Sequence, residues 1–129
     1  AASPAPLSPV TLSPGDSATW GRAQITCQLE HHFVPAKSSL RLSPEGISFP
    51  LTIRTRQPGD RIRLPGGIKK LSDWMIDQKI PASLRNQLPV VVQDQEVLAV
   101  LPYVAAVPHR AKPGSTSLIL TVKRTEEES

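Results

Sequence analysis

The chain has 129 residues, 39% of them hydrophobic, with one cysteine and a formal net charge of +4. That length suits one domain with trimmings, able to bury roughly 65% of its unfolded surface. No run of about 18 apolar residues exists, which excludes a membrane-spanning helix, and the lone Cys27 excludes an internal disulfide.

No basic-then-apolar leader opens the sequence, so the expected compartment is the reducing cytoplasm. The start at Ala1, inside a proline-rich stretch, reads as an excised piece of something longer.

Residues 1–15 carry Pro4, Pro6, Pro9 and Pro14 among Ala and Ser, the composition of an extended linker. Residues 16–51 read as leading strands. Ala23, Ile25, Cys27 and Leu29 alternate with Gln24, Thr26 and Gln28, the period of a strand buried on one face. Leu40 and Leu42 suggest a short strand closed by a turn at Pro44-Glu45-Gly46. Ile47, Phe49, Leu51 and Ile53 continue the alternation towards Arg54 and Arg56, with Pro50 marking an edge or bulge. Gln57-Pro58-Gly59-Asp60 places Pro and Gly where a type II turn wants them, and Arg61, Ile62, Arg63 and Leu64 alternate after it.

Lys69 to Lys79 reads differently. Leu71, Trp74 and Met75 stand at helical spacing, and Ile80-Pro81 should end the helix. A short helical turn is expected over Pro81–Asn86. Val90–Gln93 and Val97–Leu101 read as strands about a turn at Asp94-Gln95, and Leu118, Leu120 and Val122 as a last strand. Residues 52–124 form the expected main domain, and Thr125–Ser129 a solvated acidic tail. The expected fold is α+β, a small, mostly antiparallel sheet or partial barrel with one main helix.

No phosphate-binding loop, paired-histidine metal motif or Ser/His/Asp arrangement is present, so no catalytic residue and no metal site are assigned. Cys27, Glu30, His31 and His32 have the wrong spacing for a tetrahedral site and read as an ordinary polar loop.

Charge is the informative feature. The pI is about 9.6. The 39 residues from Thr52 to Val90 hold eight basic residues against Asp60, Asp73 and Asp77, an excess of five, while the rest of the chain is nearly balanced. Arg54 and Arg56 stand two apart, as do Arg61 and Arg63, and the pairs would lie side by side if their strands form a hairpin. Such a face repels itself unless an anion lies across it; the plain alternative is charges splayed into water. Lys69 and Lys70 would occupy the first helical turn, where cations are disfavoured, directly after Gly66 and Gly67. Exposed N–H groups beside that glycine pair, with two ammoniums, suit a phosphate, although a flexible turn with solvated lysines would look the same. Trp74 and Met75 read as core. An aromatic content of 4% argues against base stacking and favours backbone and shape reading of an A-form duplex.

Arg54 to Arg63, Gly67 to Leu71, Asp77 to Pro81 and Arg85 to Val90 together resemble the C-terminal domain signature of the bacterial tRNA(Ile)-lysidine synthetases. The resemblance spans about 40 positions in order and spacing. It implies the tRNA-binding part of an enzyme that activates the wobble cytidine of an isoleucine tRNA with ATP and magnesium, then joins lysine to it as lysidine. The family's ATP chemistry belongs to an N-terminal domain with a Ser-Gly-Gly-x-Asp-Ser loop, which this sequence lacks. The parent would be a ligase of tRNA processing, and this chain alone no enzyme. The implied partners are tRNA(Ile), gripped at its body or acceptor stem, and the catalytic domain of the same protein. The residues carried over are Arg54, Arg56, Arg61, Lys69, Lys70, Lys79 and Arg85, with Arg63 more loosely matched. One departure is Pro102, near where a glycine is expected. A second reading stays open: an interdomain or dimerisation module whose basic face meets acidic protein surface.

Overall fold

A computed structural model describes residues 8–30, 39–111 and 116–124. The strands, in chain order, are β1 (Val10–Leu12), β2 (Ser17–Trp20), β3 (Ala23–Glu30), β4 (Ser39–Leu42), β5 (Leu51–Arg54), β6 (Arg61–Leu64) and β7 (Gly67–Lys70). Helices α1 (Leu71–Asp77) and α2 (Ala82–Arg85) follow, then β8 (Val90–Gln93), β9 (Glu96–Val100), β10 (Val104–Ala105), a 3-10 turn at Val107–His109, and β11 (Ser117–Arg124).

Every strand pairing is antiparallel, and the strands form three layers. The middle layer is a five-stranded sheet in the order β1-β5-β8-β9-β10. A four-stranded sheet, β2-β3-β11-β4, covers one face. The β6-β7 hairpin and α1 cover the other. This explains the unbroken apolar runs Val90-Val91-Val92 and Val97–Leu101, since a strand covered on both faces has no side to leave polar. Val91, Leu98 and Ala99 pack with Ile25, Cys27, Leu118 and Leu120 between the large sheets. Val90, Val92, Val97 and Val100 pack with Ile62, Leu71, Trp74 and Met75 beneath the hairpin and helix. The large sheets approach each other at β1 with β2 and at β4 with β10, so the sandwich is close to a partly closed barrel.

Several expectations hold. The alternating strands at Ala23–Leu29, Leu40–Leu42, Ile62–Leu64 and Leu118–Val122 form, as does the β8-β9 hairpin, whose two-residue turn holds Asp94 and Gln95 at positive φ. Trp74 and Met75 are core, and Trp74 meets Tyr103 edge-on at 6.1 Å. Pro102 sits in the short β9-β10 turn, which Tyr103 closes by donating to the Val100 carbonyl at 2.7 Å.

Others are corrected. The helix expected over Lys69–Lys79 occupies only Leu71–Asp77, because Gly67–Lys70 pairs with β6 as a strand. The alternation from Ile47 forms a strand only from Leu51, beyond Pro50, and ends at Arg54. The proline-rich stretch expected as linker supplies β1, since Val10 and Leu12 flank Thr11 and Leu12 is buried against β5. Residues 16–51 and 52–124 share the four-stranded sheet, in which β11 pairs with both β3 and β4. The acidic tail lies outside the described residues.

Candidate functional site

The basic residues of the 52–90 segment separate into two groups according to what each touches. Arg54 ends β5 and turns inward. Its guanidinium makes two parallel bonds to Asp60, at 2.9 and 3.0 Å, and one to the Thr55 carbonyl at 3.0 Å. Asp60 also accepts from the Gln57 amide at 2.7 Å. The side chains of the pair are only 12% and 9% exposed. Arg54 therefore braces the 57–60 turn, and its charge is cancelled where it sits. Lys69 is neutralised too: Ile62 faces it across the hairpin, so its stem lies on the inner side and its ammonium pairs with Asp77 of α1.

Arg61 and Arg63 occupy the outer face of β6, with Ile62 buried between them. The register sets Lys70 opposite Arg61 and the exposed Ile68 opposite Arg63. This differs from the arrangement expected from sequence. The two arginine pairs do not lie side by side on neighbouring strands, because β5 pairs with β1 and β8 while β6 pairs with β7. Pro65 and Gly66 make the two-residue hairpin turn and Gly67 opens β7, the two glycines holding φ of 96° and 135°, values natural to glycine. The lysines leave this turn on a strand and do not start the helix.

Arg56 lies in the loop after β5 and donates through Nε to Asn86 Oδ1 at 3.0 Å. Arg85, at the end of α2, donates through Nε to the Ile80 carbonyl at 2.9 Å. Lys79 follows α1 at φ 59°. There the Lys79 amide bonds to the Ile76 carbonyl and the Ile80 amide to the Met75 carbonyl, a Schellman closure with Ile80 packed into the same core as Met75.

The side chains of Arg61, Arg63, Lys70 and Lys79 have no hydrogen-bond or ion-pair partner among the described residues. Two of the three local acids, Asp60 and Asp77, are already committed, which leaves Asp73 on the outer side of α1. An open cleft of about 540 Å³ lies beside Arg61 and Lys70. Its walls are the turn from Arg56 to Arg61 on one side and Lys70, Ser72 and Asn86 on the other. The Leu71 amide ties the two walls by donating to the Asp60 carbonyl at 2.9 Å. Ser72 and Asn86 did not stand out in the sequence, where 30 residues separate Asn86 from Arg56.

Cys27 faces the core between the large sheets, and burial pushes its thiol up to about 11. His31 and His32 lie outside the described residues.

The architecture is a layered, antiparallel β domain whose hairpin layer carries the exposed cations Arg61, Arg63 and Lys70. The family model of the TilS substrate C-terminal domain matches residues 51–120, more than half of the chain, and the chain belongs to that family. A tRNA(Ile)-lysidine synthase of Deinococcus deserti is 46% identical over 71 residues, 54% of this chain and 13% of that protein. That of Bacillus subtilis is 51% identical over 51 residues, 38% of this chain and 11% of that protein. The match therefore spans about an eighth of the length of such relatives. A crystal structure of a TilS C-terminal domain shares the fold, with a TM-score of 0.74 at 23% identity, covering 91% of this chain and 98% of that one. No helix among the described residues is long and apolar enough to cross a membrane.

Proposed function

We propose that this chain is the tRNA-binding C-terminal region of a cytoplasmic, ATP-dependent ligase that joins lysine to the wobble cytidine of tRNA(Ile), forming lysidine. Activation by ATP and magnesium falls to a separate catalytic domain of the same protein. The task of this chain is to hold the tRNA body or acceptor stem through its phosphates.

The observation that carries the reading is the outer face of the β6-β7 hairpin. Arg61, Arg63 and Lys70 share it, and Arg61 stands directly across from Lys70. Like charges set opposite each other destabilise a strand pair, and a phosphate backbone laid across them removes that cost. A flat hairpin face poor in aromatics suits the shape and backbone of an A-form duplex. Lys79, exposed just past the end of α1, is a further candidate contact. Of the other residues expected to contact tRNA, Arg56 and Arg85 keep their terminal guanidinium nitrogens for a ligand, while Arg54 and Lys69 are paired with Asp60 and Asp77.

A mobility-shift titration with tRNA(Ile) tests this. Binding should be saturable, weaken steeply with salt and fall on Arg61→Gln or Arg63→Gln. Absence of binding at low salt would overturn it. A concentration-dependent dimer in light scattering, unchanged by tRNA and lost in the same variants, would favour docking on protein surface instead.

A further inference from the structure

The cleft beside the hairpin differs in kind from the open face. A duplex phosphate lies on a convex backbone and carries one negative charge. It meets the outer hairpin readily but cannot enter a recess. Arg56, Arg61 and Lys70 all line this recess, together with the neutral polar groups of Gln57, Ser72 and Asn86. Asp60 also lines it, but both of its carboxylate oxygens are held by Arg54 and the Gln57 amide. Its charge is thereby spent within the wall. Arg56 is fixed through Nε by Asn86, and its two terminal nitrogens have no partner among the described residues. Three cations around one concavity overmatch a phosphodiester. They suit a phosphomonoester, which carries a charge of roughly −1.5 to −2 near pH 7 and offers three acceptor oxygens. The volume falls within the range of about 300–1,000 Å³ typical of small-ligand sites, leaving space for the sugar attached to that phosphate.

We infer that the cleft bounded by Arg56, Arg61, Lys70, Ser72 and Asn86 receives the 5′-terminal phosphomonoester of the bound RNA together with its first ribose. This rests on the RNA-binding reading and adds a terminus sensor to it. The hairpin face tracks the backbone, and the cleft fixes where along the duplex the grip ends. Arg61 and Lys70 edge both surfaces.

The test compares one tRNA(Ile) transcript with a 5′-monophosphate and the same transcript after phosphatase treatment, each titrated against the chain at fixed salt. The phosphorylated RNA should bind about tenfold tighter, as one added set of charge-assisted hydrogen bonds provides. Arg56→Gln should narrow the difference to about twofold. Lowering the pH to 5, below the second phosphate pKa of about 6, should also shrink it. Thermal melts verify that the variant is folded; if Arg56→Gln does not fold, Ser72→Ala replaces it. Equal affinity for the two transcripts would overturn the terminal-phosphate site while leaving RNA binding in place. If neither transcript binds, the RNA reading itself falls. A nucleoside 5′-monophosphate followed through the Gln57, Gly59 and Ser72 amides by NMR then decides the cleft alone. Saturable shifts, absent with the unphosphorylated nucleoside, would retain it as a phosphomonoester site; no shifts would remove it.

Discussion

Two lysines bracket α1 in positions that local stability does not favour. Lys70 is the N-cap, where Ser, Thr, Asp or Asn would accept from a free amide, and it makes no side-chain cap bond. It also places a cation at the positive end of the helix dipole and opposite Arg61. Lys79 holds a left-handed conformation that glycine adopts freely. Local rules broken at both ends of one seven-residue helix, each time by an exposed cation, point to a task outside folding. Lys70→Asp should therefore stabilise the chain by about 1 kcal/mol in urea unfolding, through a side-chain cap and relief of repulsion, while weakening tRNA binding at least tenfold. Lys79→Gly should stabilise by about 0.5–1 kcal/mol, whereas Lys79→Ala, which removes the same charge but keeps the strained φ, should not. If both Lys79 variants bind tRNA as the wild type does, the ammonium has no part in the grip. Lys69→Gln provides the contrast. Its ion pair is half exposed and worth at most about 1 kcal/mol, so stability and affinity should both change little.

Among the elements, the 57–60 turn and the β6-β7 hairpin work as one piece, joined by the bond from the Leu71 amide to the Asp60 carbonyl. The Arg54–Asp60 pair stiffens that piece, and removing one partner leaves the other largely buried and unmatched. Asp60→Asn should cost about 2 kcal/mol of stability. Arg54→Lys, which retains charge but not the two-pronged geometry, should cost less. In both, the folded fraction should keep the wild-type salt dependence of tRNA binding, and so should Arg54→Gln, which removes the charge. A smaller dependence in Arg54→Gln would show Arg54 to be a phosphate contact after all. None of this pairing was legible in the chain itself. Sequence spacing put Arg54 and Asp60 on opposite sides of a turn without revealing that one cancels the other. The strands whose alternation is clean, such as β3 and β11, were legible because one buried face imposes a period of two. β7 was not, because Gly66-Gly67 supplies no alternation and the spacing of Leu71, Trp74 and Met75 drew the helix start back over Lys69. β1 was obscured by the surrounding prolines, although Val10 and Leu12 flank Thr11 as an edge strand requires. The cleft needs Arg56 and Asn86 in contact, a long-range fact that no local pattern encodes.

For the molecule as a whole, the sandwich serves as a rigid base on which the hairpin layer displays its charge, and the amount of charge available is measurable. Counting basic residues along the 52–90 segment gives eight candidate phosphate contacts. Counting side chains without a partner among the described residues leaves Arg61, Arg63, Lys70 and Lys79, because Arg54 and Lys69 are paired and Arg56 and Arg85 are partly engaged. Each phosphate neutralised releases counterions, so the logarithm of affinity falls with the logarithm of salt by about 0.7–0.9 per contact. Four contacts predict a slope of about −3 to −3.5, a loss of roughly a hundredfold in affinity between 50 and 200 mM salt. Eight contacts would give a slope of about −6 to −7 and a loss of roughly four thousand- to sixteen thousandfold over the same range. The two counts are far enough apart for one series of titrations at four or five salt concentrations to separate them. A slope beyond about −5 would mean that tRNA opens the Arg54–Asp60 and Lys69–Asp77 pairs and recruits their cations. The layered fold would then be a platform remodelled by its ligand. A slope near −3 that drops to about −2 in Arg63→Gln would instead mark the hairpin face as preformed.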